Sequence, residues 1–544
     1  MTLYWRGKTR DELWAQLLET GKREPGWDTL IVGGGITGAG LLSEATALGL
    51  ESALVEQRDF AWGTSSRSSK MIHGGLRYLA SGDFRLSRDS VKERNRLLEE
   101  LPGLVDPLGF LFSHYHHKYP GPVSLNMLLS IYDLFAGQWN HHYFRRSQYL
   151  MMAPGIQEKG LRGGTRFVDA VTDDARLVLR LIQEATLKGA LAMNYVQARG
   201  LLLYKGKTCG LVVRDTITGA EAEVFAKGVI NAAGVWVDRL RKEASGRSHI
   251  RPLRGSHLVF PFWQLPVAQS ITLMHPWDRR PVFIFPWEGA TVVGTTDLDH
   301  QQDLDADPHI TQEELAYLLA IVNHQFPSLA IKKEDILSTY SGVRPVVHLR
   351  KRRKIDPSKE KRDHTIWVEK GLISIGGGKL TTFRIIAHDA LKELVPDRLE
   401  AKYSQKKKTT TRTPSGQAPF PKTLGPLLRR RLSGRYGSLC PELLASTSAD
   451  ELERIPGTDT LWAELRWAAR SEGVVHLEDL LLRRTRVGIL LKDGGLHQLD
   501  RIKSVCQQEL GWDENQWEKE WVAYRDLWRQ CYSVPNPVLK SKLD

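Results

Sequence analysis

The run Thr29-Leu30-Ile31-Val32 passes directly into Gly33-Gly34-Gly35-Ile36-Thr37-Gly38, and a lone acid, Glu56, closes the next apolar run, Ser52-Ala53-Leu54-Val55. The spacing predicts a strand, a glycine turn, a helix ending at Gly49 and a second strand, the elements of a dinucleotide-binding unit. Each residue type has a physical reason. Gly33 permits the tight turn, Gly35 lets backbone N–H groups approach a pyrophosphate, and Gly38 lets the helix pack close to the strand. Glu56 stands where a carboxylate accepts hydrogen bonds from an adenosine ribose.

A second signal follows in the same chain. Asn231-Ala232-Ala233-Gly234-Val235-Trp236-Val237-Asp238 comes directly after Val229-Ile230, and small residues at a strand end again allow backbone to approach a flat or phosphorylated ligand. One glycine fingerprint suits NAD or FAD equally, whereas two in one chain favour FAD. A third run, Gly376-Gly377-Gly378-Lys379-Leu380-Thr381-Thr382, predicts the opening of a helix whose N-terminal dipole stabilises negative charge on a reduced flavin.

At 544 residues the chain should hold two or three domains, since single cores stop growing near ~250–300 residues. The formal net charge of +13 favours an anionic partner but does not choose among phosphate, acidic lipid and nucleic acid. Cys209, Cys440, Cys506 and Cys531 lie too far apart for a metal knuckle or a disulfide framework, so a reducing, cytoplasmic-facing compartment is expected. Residues 1–26 carry charges throughout and lack the apolar core of a signal peptide; Thr9-Arg10-Asp11-Glu12 predicts a capping box opening a helix through Leu18. The stretch from Leu125 to Phe135 reads either as a core or lid helix or as a surface that dips into lipid. From 396 to 421 the composition is that of a linker, and beyond it Leu461, Leu465 and Ala468, then Leu477, Leu480 and Leu481, follow helical spacing.

Gly63-Thr64-Ser65-Ser66-Arg67-Ser68-Ser69-Lys70, followed by His73-Gly74-Gly75-Leu76-Arg77-Tyr78-Leu79, resembles the signature of FAD-dependent, quinone-linked glycerol-3-phosphate dehydrogenases. The resemblance continues through Asp173-Asp174-Ala175-Arg176-Leu177, Gly255-Ser256-His257, Gly294-Thr295-Thr296-Asp297, Tyr340-Ser341-Gly342-Val343-Arg344-Pro345 and Leu477 to Thr485. It implies an α/β protein with a Rossmann-like FAD-binding domain of the D-amino-acid-oxidase-like type, a mixed-sheet substrate domain and a C-terminal helical cap. The expected division is a helical leader at 1–26, a discontinuous FAD domain at 27–100, 170–255 and 340–395, a substrate domain at 101–169 and 256–339, the linker at 396–421, and the helical domain at 422–544.

The resemblance further implies oxidation of sn-glycerol 3-phosphate to dihydroxyacetone phosphate, with electrons passed to a membrane quinone. Carried over by motif, the cofactor contacts are Gly33, Gly35, Gly38, Glu56, Ser65, Ser66, Lys70, Gly74, Gly75, Ala233, Gly234, Asp238, Gly378, Lys379, Leu380 and Thr381. A phosphate dianion needs a permanently charged planar donor, and Arg77, Tyr78 and Arg362 are the expected substrate ligands. Removal of the C2 hydroxyl proton needs a base and a cation beside the developing oxyanion; His257 suits the first role and Arg344 the second, with a water or arginine-assisted route left open.

The expected partners are glycerol 3-phosphate, a membrane quinone and an anionic membrane surface, with a homodimer as an open option. The expected place is cytoplasmic, peripheral on the inner face of the cell membrane. A glycerol-3-phosphate oxidase using molecular oxygen, or a silent flavin-binding sensor or assembly subunit, remain alternatives. Asp303, Asp305 and Asp307 with Glu314 imitate a calcium loop, but Pro308 stands where such a loop needs glycine. His114, His116, His117, His141 and His142 lack matching acids or cysteines, so no metal is expected. Basic tracts without interleaved aromatics give nucleic-acid binding little support.

Overall fold

Trp27–Val32 forms a strand whose side chains are almost all buried, as a run with no polar alternation requires. The computed structural model describes residues 3–22, 26–80, 82–244, 247–348, 363–406, 420 and 424–535. Five parallel strands run in the spatial order Leu372–Gly377, Glu221–Asn231, Trp27–Val32, Ser52–Val55 and Leu191–Met193. Glu221–Asn231 is long enough to serve twice, because its first half pairs antiparallel with Lys207–Asp215. The helix Ile36–Ala47 returns the chain from Trp27–Val32 to Ser52–Val55 and packs between the helices Asp174–Leu187 and Phe383–Lys392. This is the doubly wound, nucleotide-binding arrangement, with both glycine-rich strand ends at its carboxyl edge.

A second sheet of ten strands is antiparallel except where Ser270–Met274 runs parallel to Val105–Tyr115. Ile250–Pro261 is paired with the whole of Ser338–Val347, from Ile250 opposite Val347 to Val259 opposite Ser338. Both strands therefore belong to this sheet, although the expected domain borders cut them at 255 and at 340. Ladder hydrogen bonds keep a strand in one sheet, so the crossings fall in the loops at its ends. A similar shift occurs at the expected linker, where Pro396–Lys406 is helical. Proline suits the first helical position, and Leu399 is buried in the core of the first sheet.

The capping box forms as expected, with Thr9 N–H donating to Glu12 at 2.7 Å and the helix running from Arg10 to Lys22. The leader is a staple. Arg10 pairs with Asp215 at 2.9 Å, and Gly473 N–H in the C-terminal domain donates to the Leu3 carbonyl at 2.9 Å.

Helices from Pro426–Tyr436 to Glu514–Cys531 form that domain, and a buried ion network joins it to the first sheet. Arg483 and Arg484 approach Asp59 at 2.5 and 2.7 Å, all three side chains being at most 1% exposed. Arg486 pairs with both Asp173 and Asp174, and Arg176 pairs with Glu472 at 2.6 Å. Burial pushes the Asp59 carboxyl up, but the two guanidiniums outweigh it and hold it down to about 2 from 3.8. Its contribution to stability is therefore complete above the ordinary carboxylate value and is lost as pH falls through about 2. Asp59→Asn strips two buried guanidiniums of this charge and should lower the unfolding free energy by about 3–5 kcal/mol, read from urea denaturation at neutral pH. A change under about 1 kcal/mol would show that the network contributes no net stability.

Candidate functional site

The two glycine-rich strand ends meet. Ala232 N–H donates to the Val32 carbonyl at 2.8 Å, and a Cβ on Gly33 would lie 2.6 Å from the Ala232 carbonyl oxygen. Gly33 has φ +108°, which side chains rarely adopt, so both its turn and its neighbour demand glycine. A Cβ on Gly38 would fall 1.8 Å from the Gly33 carbonyl oxygen, the close helix-to-strand approach its position predicts.

A cavity of about 350 Å³ opens at this edge, lined by Gly33, Gly35, Glu56 and Ser65 on one side and by Ala233, Gly234, Gly378, Lys379, Leu380 and Thr381 on the other. Gly35 caps the helix Ile36–Ala47 without a side chain of its own, and Ile36 N–H donates to Ser65 Oγ at 2.9 Å, which brings Ser65 to the helix N-terminus. Glu56 lines the cavity with a carboxylate that accepts from Gly34 N–H at 2.6 Å and Arg58 N–H at 2.9 Å; burial raises its pKa. Bare glycine backbone, a glycine-capped helix N-terminus and an acid at the neighbouring strand end fit an adenine dinucleotide. Leu372–Gly377 carries Gly376 and Gly377 as strand residues, so the following helix begins only at Phe383 and Gly378 to Thr381 form the loop before it.

Five expected cofactor contacts have other work. Lys70 is buried beneath the wall, with its ammonium 2.8 Å from Asp174 and 2.6 Å from the Ser66 carbonyl. Burial draws it down to about 8, against the pull of Asp174. Asp238 accepts from His249 and Ile250 N–H groups and pairs with Arg241, closing a loop instead of facing the cavity. Gly74 packs against Tyr132 and Val91, and Gly75 against Tyr78, each too closely for a Cβ. Ser66 is buried and serves through its carbonyl.

Farther along, the cavity is lined by Tyr78, Arg344, Thr295, Ser69 and His73. Arg344 donates to the buried Asp297 at 2.9 Å, which fixes its guanidinium while leaving the side chain 23% exposed. The Lys379 ammonium sits 3.4 Å from the centre of the Tyr78 ring. Arg77 stands beside Tyr78 in the short helix Leu76–Ala80, and Arg362 lies outside the described residues. His257, the expected base, is 1% exposed and does not line the cavity. Among the described histidines it is His73, in the motif that runs to Leu79, that lines the cavity. Trp236, within the second glycine-containing run, and Trp62, which carried no sequence signal, have ring centres 5.5 Å apart and also line the cavity.

Other candidates resolve into local contacts. Asp305 accepts from Trp236 and Arg239, and Asp307 pairs with Arg67, so this acidic loop is tied across to the cofactor domain. His114 bonds to Thr165 and His141 to Asp133. His364 lies between Asp363 and Asp389, which overcome the effect of burial and lift its pKa to about 9, so it is a cation throughout the neutral range.

Comparison with known proteins agrees with this geometry. A family profile described as FAD dependent oxidoreductase matches residues 28–388, and one described as the C-terminal domain of alpha-glycerophosphate oxidase matches residues 399–517. The chain is 34% identical to glycerol-3-phosphate dehydrogenase 2 of Mycobacterium tuberculosis, over 92% of this chain and 87% of that protein. It is 33% identical to alpha-glycerophosphate oxidase of Streptococcus pneumoniae, over 92% of this chain and 94% of the other. The crystal structure of glycerol-3-phosphate dehydrogenase from Bacillus halodurans complexed with FAD superposes with a TM-score of 0.72 at 27% identity, covering 96% of each chain. A cavity built for an adenine dinucleotide, the two family matches and full-length relatives together assign the chain to the FAD-dependent glycerol-3-phosphate dehydrogenase and oxidase family.

Proposed function

We propose that this protein oxidises sn-glycerol 3-phosphate at C2 to dihydroxyacetone phosphate and passes the electrons to a membrane quinone at the cytoplasmic face of the cell membrane. The observation that carries the reading is Arg344, a guanidinium anchored by Asp297 at the far end of the dinucleotide cavity. FAD, when bound, supplies the two-electron acceptor for the C2 hydride. The chain supplies the rest. Arg77 and Tyr78, with Arg362, are the proposed ligands of the phosphate, Arg344 offsets negative charge on the C2 oxygen, and His73 takes the hydroxyl proton in place of the buried His257. Among the described residues no helix is long and apolar enough to cross a membrane. The helix Pro122–Ala136 instead buries Leu125, Leu129 and Tyr132 and exposes Val123, Met127 and Leu134, flanked by exposed Tyr119 and Trp139. Such an apolar stripe, with exposed Lys118 and Arg145 nearby, suits a surface that lies in an acidic headgroup layer.

Anaerobic addition of glycerol 3-phosphate should bleach the oxidised flavin absorbance, and Arg344→Met should slow that bleaching about 10²–10³-fold while the protein stays yellow. Absence of bleaching in the native holoenzyme would remove the reading. The likeness to an oxidase makes oxygen the competing acceptor, so the reduced protein is then mixed with either oxygen or a soluble quinone; quinone should restore the colour faster.

On vesicles containing phosphatidylglycerol the protein should co-sediment at low salt. Met127→Glu combined with Leu134→Glu should weaken that binding at least about tenfold and leave turnover with the soluble quinone unchanged. A native chain that ignores the vesicles would overturn the membrane assignment.

A further inference from the structure

His257 is built into the site without touching the cavity. Its ring stacks on Tyr340 with centres 4.5 Å apart and planes at 11°, and on its other side lies Gly294, where a Cβ would fall 2.1 Å from the ring carbon Cδ2. The register explains the clamp, since Gly294 and Tyr340 are the cross-strand partners of His257 on its two neighbouring strands. Nε2 lies 2.9 Å from Ser69 Oγ, and Nδ1 is buried with no hydrogen-bond partner among the described residues. Ser69, unlike His257, lines the cavity.

Two tautomers of the neutral ring are available, and they differ in what they bury. A proton on Nδ1 would leave an orphaned N–H donor in an apolar clamp, whereas a proton on Nε2 is satisfied by Ser69 and leaves only a lone pair unpaired. Orphaned N–H donors are the rarer and costlier case. Ser69 Oγ is then the acceptor of His257 Nε2–H, and its own hydroxyl proton is free to point into the cavity. Alternate residues of paired strands share one face, so Leu253, Gly255 and His257 stand with Arg344, Gly342 and Tyr340. Gly255 and Gly342 line the cavity without side chains; a Cβ on Gly255 would lie 2.5 Å from Thr295 Oγ1 and 2.7 Å from Arg344 Nη2, so the Arg344 fork reaches over Gly255, while the Arg67 backbone covers Gly342. Ser69 and Arg344 thus line the same part of the cavity, Ser69 beside His257 and Arg344 over Gly255.

We propose that His257 is a positioning residue that holds Ser69 as a hydrogen-bond donor to the C2 oxygen of the substrate, opposite the Arg344 guanidinium. This rests on the substrate reading above. The reaction is unchanged in balance: C2 loses a hydride to FAD, the hydroxyl proton leaves to the base, and Ser69 keeps its proton while stabilising the oxygen in transit. The charged groups around His257 favour a permanently neutral ring. Burial lowers its pKa well below the ordinary value, and Lys70 and Arg344 lower it further; Asp174, which pairs with Lys70, is also engaged by Arg486.

The first test needs no substrate. The oxidised holoenzyme labelled with ¹⁵N-histidine, its His257 signal identified by loss in His257→Gln, should show the neutral Nε2–H tautomer without titration between pH 5.5 and 8.5. The Nδ1–H tautomer, or a titration in that window, overturns the proposal whatever the substrate proves to be. The second reads anaerobic flavin reduction. Ser69→Ala and His257→Phe should each slow it about 10²-fold with little change in substrate affinity, and together they should lose no more than either alone. His257→Gln, whose amide still donates towards Ser69, should recover most of the rate with an unaltered pH profile. If His257→Gln is as slow as His257→Phe and loses its acid limb while Ser69→Ala is near native, His257 is itself the base and the positioning role fails. Retained FAD absorbance and an unchanged melting temperature establish that each variant is folded.

Discussion

Asp174 joins three parts of the molecule, and the shape of the reaction cavity depends on it. One carboxylate, wholly buried, accepts from Ser68 N–H and Oγ, from the Lys70 ammonium and from Arg486 of the C-terminal domain. Ser68 and Lys70 flank Ser69, and Ser65 to His73 form one wall of the cavity. A segment with little regular structure is therefore fixed by charge in a low-dielectric setting, where an unpaired ion would be strongly disfavoured. The helical domain, whose arginines complete this network, acts on the site by holding its wall. That gives a physical reason for an arginine-rich turn, Arg483 to Arg486, far from any substrate.

The parts of the site legible in the sequence were those whose physics is local. A tight turn and a close approach need glycine wherever they occur, so Gly33, Gly35, Gly38 and Gly234 could be read from spacing alone. Lys70 and Asp238 could not, because a charged side chain serves a ligand or a distant partner equally well, and the acid that claims Lys70 is 104 residues away. The two histidines differ for the same reason. His73 and His257 both lie in distinctive motifs, yet only the register of Ile250–Pro261 against its two neighbours reveals that one ring is clamped inside the sheet. The borders expected at 255 and 340 fall inside Ile250–Pro261 and Ser338–Val347, two strands that ladder pairing holds in one sheet.

The two sheets contribute different kinds of group. The parallel sheet offers main-chain N–H groups at strand ends and a helix N-terminus, which suit a long, charged, largely invariant cofactor. The antiparallel sheet offers alternating side chains on one face, with Arg344, Gly342 and Tyr340 beside Leu253, Gly255 and His257. A small substrate is recognised by such a face because each position can be large, small or charged independently. The same fold accordingly serves many oxidations, and the substrate must be argued from that face alone.

Burial decides how that face works. A base must meet its proton within hydrogen-bond reach, and a residue sealed between Tyr340 and the Gly294 backbone can act only through what it touches. His257 touches Ser69, and Ser69 touches the cavity. Arg344 reaches the same cavity because Asp297 restrains it and because Gly255 has no side chain to obstruct it. Two fixed donors in one cavity cost no reorganisation as charge develops on an oxygen between them, which is the condition under which electrostatic stabilisation is strongest.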